Sequence, residues 1–138
     1  MNSIPDLTQT DPSLGLSDGG MKSWASVTAT NRFGWLADKG YENMVIRDEN
    51  GSVSYAKTAQ LLDEVLYPLT DRGSLSPLFL GGVEHYLSGQ GYAEDVYHLE
   101  YQSWLHPEGF EGISIPNINS IKKGIVGDGA VWLFVGFY

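Results

Sequence analysis

A chain of 138 residues is long enough for one domain with its own core and too short for two comfortable ones. Hydrophobic residues at 42% and charged residues at 18% describe a folded globular protein, not a disordered one. A formal net charge of −9 argues against a nucleic-acid backbone or an anionic membrane as partner, and the absence of cysteine excludes disulfides, thiolate metal sites and a cysteine nucleophile.

The acidity is read most simply as a solubility device. The longest apolar run, residues 130–137, has the length of a strand and falls well short of the ~20 residues that span a bilayer. The opening MNSIPDLTQT has neither a basic n-region nor an apolar h-region, so no signal peptide is read there.

Residues 1–20 are rich in Pro, Asp, Ser, Thr and Gly and read as an extended arm and a Gly-rich loop, with a domain expected over 21–138. The first helix is expected within residues 21–41, with Ser23 as N-cap and Val27, Phe33, Leu36 and Ala37 facing inward. Gly40 ends it as a C′ glycine after Lys39. Thr28, Thr30 and Asn31 are poor helix formers, so burial must hold this segment.

The segments MVIRD and SVSYA around Asn50-Gly51 signal a hairpin. A second helix is expected over residues 55–66, with Leu61, Leu62, Val65 and Leu66 as its apolar stripe and Pro68 just beyond it. Asp63 and Glu64 read as its solvated face. A third helix is expected over 76–87: Pro77 suits its first turn, Leu78, Leu80, Val83 and Leu87 face inward, and Gly89 or Gly91 ends it. Gly81-Gly82 inside it weakens the helix, and close packing is the ordinary reason to keep such a pair.

Residues 96–102 alternate in the manner of a strand, and 107–115 read as loop. Residues 117–123 read as a short helix capped by Asn117, with Gly124 after it. Gly127-Asp128-Gly129 then forms a turn before a strongly apolar strand over 130–138. Helices come first and strands last, which predicts an α+β fold with a helical half packed on antiparallel strands.

The arm Ile4-Pro5-Asp6-Leu7-Thr8-Gln9-Thr10-Asp11, the Gly-rich loop and the helix carrying A-S-V-T-A-T-N-x-F-G-W-L-A resemble the bacterial C39-like branch of the papain-like cysteine peptidases. The streptococcal immunoglobulin-degrading enzymes carry a related pattern. Asn31 and Trp35 keep the family's spacing, and counting back seven residues from Asn31 places the nucleophile position at Trp24, with Ser23 its rival if the register shifts by one. The resemblance assigns Gln9 as positional equivalent of the oxyanion-hole donor. It continues through Gly40-Tyr41, the middle helices, residues 97–101 and the final apolar strand, and implies a secreted or cell-surface bacterial protein without cofactor or metal. The family's catalytic His follows the strand matching 131–138, where this sequence stops.

The chemistry of such a site needs a thiolate stabilised by a helix N-terminus, an adjacent imidazole and a preorganised oxyanion donor. Trp24 offers only an indole N–H, and Ser23 would need a general base. His85 reads as a helix-surface residue, His98 follows Tyr97 on the expected strand, and His106 lies in a loop after Trp104. No two His stand at i, i+4, which speaks against zinc. Asp48-Glu49-Asn50-Gly51 lacks the spaced frame of a calcium loop and reads as a turn. Trp104, Phe110, Trp132, Phe134, Phe137 and Tyr138 serve a core or line a peptide or sugar groove. The sequence contains no phosphate loop, dinucleotide fingerprint or Gly-x-Ser-x-Gly elbow.

Alternation over 131–138 leaves both strand faces apolar, as in a central strand. The expectation is therefore an incomplete sheet, completed by another polypeptide, by a second copy or by residues outside this sequence. Three functional readings stand: an inactive papain-like domain that binds extended peptide, an active cysteine peptidase whose nucleophile has been replaced, and a non-catalytic interaction module.

Overall fold

The first helix of the chain starts at Trp24 because the residues before it cannot continue one. Gly15, Asp18, Gly19 and Gly20 all have left-handed backbones, and Ser23 occupies the N-cap at φ −94°. The computed structural model describes residues 4–70, 76–100, 102, 115–127, 129 and 131–133, without the side chains of 67–70 and 76–77. The chain divides into two compact units, Met1–His98 and Leu99–Tyr138.

In the N-terminal unit, an arm and two short 3-10 turns (Pro12–Leu14 and Ser17–Gly20) lead into α1, Trp24–Ala37. A third 3-10 turn, Glu42–Met44, precedes a small hairpin, and the helices α2, Tyr55–Thr70, and α3, Ser76–Gly89, follow. α1 and α2 run antiparallel, since Ser26 meets Asp63 at one end while Gly34 lies against Tyr55 at the other. α3 closes the core. Phe33, Leu62, Leu66 and Val83 are fully buried there, and the Tyr86 ring stacks on Phe33.

α1 buries the expected Val27, Phe33, Leu36 and Ala37. Its poor formers are held by side-chain bonds: Thr28 Oγ1 donates to the Trp24 carbonyl at 2.7 Å and Thr30 Oγ1 to the Ser26 carbonyl at 2.8 Å. α1 and α3 end alike. Gly40 N–H donates to the Ala37 carbonyl and Tyr41 N–H to that of Leu36, while Gly91 N–H donates to Ser88 and Tyr92 N–H to Leu87. Both glycines have positive φ, +106° and +84°, as this Schellman cap demands.

The Asn50-Gly51 turn forms with Gly51 at φ +79°. Asp48 organises it, its Oδ1 accepting the backbone N–H groups of Asn50 and Ser52 at 2.9 Å each. The pairing that results is one isolated antiparallel bridge between Arg47 and Val53.

Several expectations need correction. The α+β, papain-like fold is not what the chain forms: the described residues make helices, turns and isolated bridging, with no sheet. Residues 96–100 form a turn and irregular chain, with Val96 N–H bonded to the Ala93 carbonyl and its side chain exposed. Period-2 alternation states which side chains share a face but supplies no partner strand. Residues 131–133 are likewise irregular, and 134–138 lie outside the described residues.

α2 runs past Pro68 to Thr70, beyond the expected end at residue 66. Its buried side is turned toward Thr58, Ala59, Leu62, Asp63 and Leu66, leaving Leu61 and Val65 half-buried. α3 buries Phe79 and Tyr86 beside Val83 and Leu87, while Leu78 and Leu80 are half-buried. Gly82 is the close-packed member of the glycine pair: an added Cβ would collide with the Leu66 side chain, whereas Gly81 faces open space.

In the C-terminal unit, α4 spans Ile118–Val126 and starts on the expected cap, with Asn117 Oδ1 accepting the Ser120 N–H at 2.9 Å. It continues through Gly124 because the chain after it folds back there. Gly129 N–H donates to the Gly124 carbonyl at 2.8 Å, and Val131 packs where a Gly124 side chain would sit. The turn expected at 127–129 thus docks on a helix and does not lead into a described strand.

Candidate functional site

The arm runs along α1 and closes in a turn, with Asp11 N–H donating to the Thr8 carbonyl at 3.1 Å. Pro5, Leu7, Gln9 and Asp11 are half-buried while Ile4, Asp6, Thr8 and Thr10 are exposed, a strict alternation. Asn31, at the middle of α1, holds the arm by its main chain: Leu7 N–H donates to Asn31 Oδ1 and Asn31 Nδ2 donates to the Leu7 carbonyl, each at 3.0 Å. A side-chain amide offers one acceptor and two donors, so it matches a peptide unit as another strand would.

Two residues before Leu7, the Pro5 ring lies against Gly34, with the Tyr55 ring beside it. A Cβ on Gly34 would come within 2.8 Å of both Pro5 Cγ and Tyr55 Cε1, so the niche requires glycine. Burial raises the Tyr55 phenol above its ordinary range, and the Asp38 charge adds to this. Two residues beyond Leu7, Gln9 Nε2 donates to the Met21 carbonyl at 3.2 Å. Gly20, buried at φ +79°, lets the Gln9 carbonyl approach its backbone. Further along, Leu14 is buried and its carbonyl accepts from Gln60 Nε2 at 2.8 Å, anchoring the arm's far end.

The structure thus places Gln9 beside the residues leading into α1, close in sequence to Ser23 and Trp24. Ser23 is 1% exposed, and its hydroxyl has no hydrogen-bond partner among the described residues. Trp24 is half-buried on the first turn. Below them lies a buried polar cluster: Ser26 Oγ is 2.9 Å from both the Ser23 carbonyl and Asp63 Oδ1, so one hydroxyl proton is shared between two acceptors. Asp63 is only 6% exposed, which corrects its reading as solvated surface; Glu64 is exposed. Asp63 follows Ala59 by one helical turn, and that spacing is the signal that could have revealed it.

His85 and His98 are exposed, and His106, Trp104 and Phe110 lie outside the described residues, as do Phe134, Phe137 and Tyr138. Trp132 is half-buried in the C-terminal unit. Among the described residues no three His, Asp or Glu side chains gather as a metal site would require, and no helix is long and apolar enough to cross a membrane. On the outer side of α1 the Arg32 guanidinium lies 3.9 Å and the Lys39 ammonium 4.9 Å from the Trp35 ring centroid.

Sequence reasoning missed the role of Asn31, noted as a poor helix former and for its spacing to Trp24 and Trp35. An Asn in mid-helix was the available cue, because such a side chain is retained for a bond it makes.

Comparison with protein families, curated proteins and solved structures finds no match to this chain. With a helical architecture in place of helices packed on a sheet, the expectation of a C39-like, papain-like hydrolase is overturned. The motif over residues 24–37 is a helix whose Ala, Ser, Thr, Asn and Gly residues serve contacts with the arm and with α2.

Proposed function

We propose that the N-terminal unit is a non-catalytic interaction module that binds extended peptide along α1. The observation that carries this reading is the paired hydrogen bond between the Asn31 amide and the Leu7 main chain. Such a clamp recognises backbone, as strand addition does, and leaves side chains to set specificity. The burial of Ser23 supports the non-catalytic part of the reading, since a nucleophile has to reach its substrate.

The test is selection of linear peptides from a random library on the full chain, with affinities measured by calorimetry. Ligands of about micromolar affinity are expected, weakened about tenfold by Asn31→Ala in a protein that keeps its helical circular dichroism. A library without binders overturns the reading. So does labelling of Ser23 by a serine-directed phosphonate probe together with hydrolysis of casein.

A further inference from the structure

The hairpin turn carries a chemically reactive pair. Asparagine followed by glycine is the sequence in which a main-chain nitrogen most readily attacks a side-chain carbonyl, because glycine has no side chain to obstruct the approach. Of the chain's asparagines only Asn50 precedes a glycine. Asn50 and Gly51 are both exposed, and the Asn50 side-chain amide makes no hydrogen bond among the described residues. A Cβ built on Gly51 would meet nothing within 4 Å, so no other part of the chain crowds this peptide on that side.

In the closed turn the attacking nitrogen is engaged elsewhere. Gly51 N–H donates to the Asp48 carbonyl at 2.9 Å, while Asp48 Oδ1 accepts the N–H groups of Asn50 and Ser52 at 2.9 Å each. Arg47 Nη1 donates to the Gly51 carbonyl at 2.9 Å. These bonds fix the peptide plane between Asn50 and Gly51, so attack has to wait until the turn opens. Opening is local. Behind the turn the pairing extends through the isolated Arg47–Val53 bridge and the Ser54 N–H bond to the Ile46 carbonyl.

We propose that Asn50 is a site of spontaneous deamidation and that Asp48 gates it by holding the turn closed. Hydroxide takes the Gly51 N–H proton, the nitrogen bonds to Asn50 Cγ, and the side-chain nitrogen leaves as ammonia after taking a proton from water. Water then opens the resulting succinimide. Addition at Cγ yields an ordinary aspartate, and addition at the main-chain carbonyl carbon yields an isoaspartate, whose main chain runs through the former side chain. Each event consumes one water and releases one ammonia, with no oxidation.

Either product adds a carboxylate directly after Asp48 and Glu49, in a chain whose net charge is already −9. The isoaspartate also lengthens the main chain between Asp48 and Ser52. The spacing that lets Asp48 Oδ1 bridge two N–H groups and sets the Arg47–Val53 pairing is then lost. The change runs one way, because the ammonia is lost to solvent.

The test incubates the full chain in mildly alkaline buffer and follows every asparagine by peptide mapping with mass spectrometry. The urea-unfolded chain and the variants Asp48→Ala and Arg47→Ala are treated in parallel, with circular dichroism reporting that the variants keep their helices. Asn50 is expected to react first. Asp48→Ala should react at least about tenfold faster than the original chain, since two bonds to a charged acceptor no longer hold the turn. Arg47→Ala keeps those bonds and should accelerate the reaction by about two- to threefold. The unfolded chain should react at least as fast as Asp48→Ala.

Equal rates in the original chain and folded Asp48→Ala overturn the proposal. So does an Asn50 amide that survives in the unfolded chain, or modification that begins at Asn43 or Asn119. A rate slowed by Asp48→Ala makes the Asp48 carboxylate a helper of the attack and overturns its role as a restraint. If Asp48→Ala does not fold, Arg47→Ala decides alone, and an unchanged rate in it overturns the proposal.

Discussion

The rings of Phe33 and Tyr86 stack with centroids 5.4 Å apart and planes inclined by 11°, joining α1 to α3 in the core of the N-terminal unit. Beyond the ring, the Tyr86 hydroxyl donates to the Met44 carbonyl at 3.0 Å, so the same side chain ties the connection after α1 to the end of α3. Burial raises the phenol of Tyr92, next to the α3 cap, above its ordinary range, and the nearby backbone N–H groups of Asn43 and Met44 partly offset this.

Phe33→Ala is expected to destabilise the protein by about 3–5 kcal/mol, the range for losing a buried aromatic ring. Tyr86→Phe keeps the stack but leaves the Met44 carbonyl without its donor, at a cost of about 1–3 kcal/mol. Urea unfolding monitored by circular dichroism measures both. A larger cost for Tyr86→Phe than for Phe33→Ala would mean that the hydroxyl, not the ring stack, dominates this contact.

The same tyrosine sets an alkaline limit on stability. Burial pushes the Tyr86 phenol well above its ordinary value of 10.0, outweighing the Thr58 hydrogen bond that lowers it, and nearby Tyr92 adds to the rise. The folded state therefore keeps a proton that the unfolded chain gives up. This contribution to stability is complete below pH 10 and is lost as pH rises above it. Urea midpoints measured from pH 8 to pH 11.5 should fall above about pH 10, and the fall should be shallower in Tyr86→Phe.

The neighbouring glycines of α3 separate propensity from packing. Gly81→Ala meets nothing within 4 Å and should stabilise the helix by roughly 0.5–1 kcal/mol. Gly82→Ala drives a methyl group into Leu66 and should destabilise by about 1–3 kcal/mol. Thermal melts of the two variants should move in opposite directions, and a shift of like sign would refute the close approach of α2 and α3.

The buried cluster below the start of α1 makes a third contrast. Ser26→Ala removes a donor shared by Asp63 and the Ser23 carbonyl and should cost about 1–3 kcal/mol. Ser23→Ala removes a buried hydroxyl that has no partner among the described residues, so stability should be unchanged or rise by up to ~1 kcal/mol. A double-mutant cycle of Ser26→Ala with Asp63→Ala isolates their coupling, expected at about 0.5–3 kcal/mol.

The sequence by itself determined whatever a few neighbouring residues decide. The Gly40 cap, the Asn117 N-cap and the Asn50-Gly51 turn are legible, and the α3 cap is legible to within Gly89 or Gly91, because each depends on backbone geometry and hydrogen bonds within about one helical turn. The inward face of α1 was legible too, through its apolar spacing.

The tertiary structure decided the rest. Alternation at residues 96–102 and 131–138 suggested strands, but the described residues 96–100 and 131–133 form none, because a strand exists only where a second one meets its hydrogen bonds and local pattern carries no information on that. Asp63 is buried because Ser26 meets it across 37 residues, and Asn31 became a clamp because Leu7 reaches it across 24. The helix that resembled a peptidase motif was real as a helix. Its polar residues answer to partners distant in the chain, and only folding names those partners.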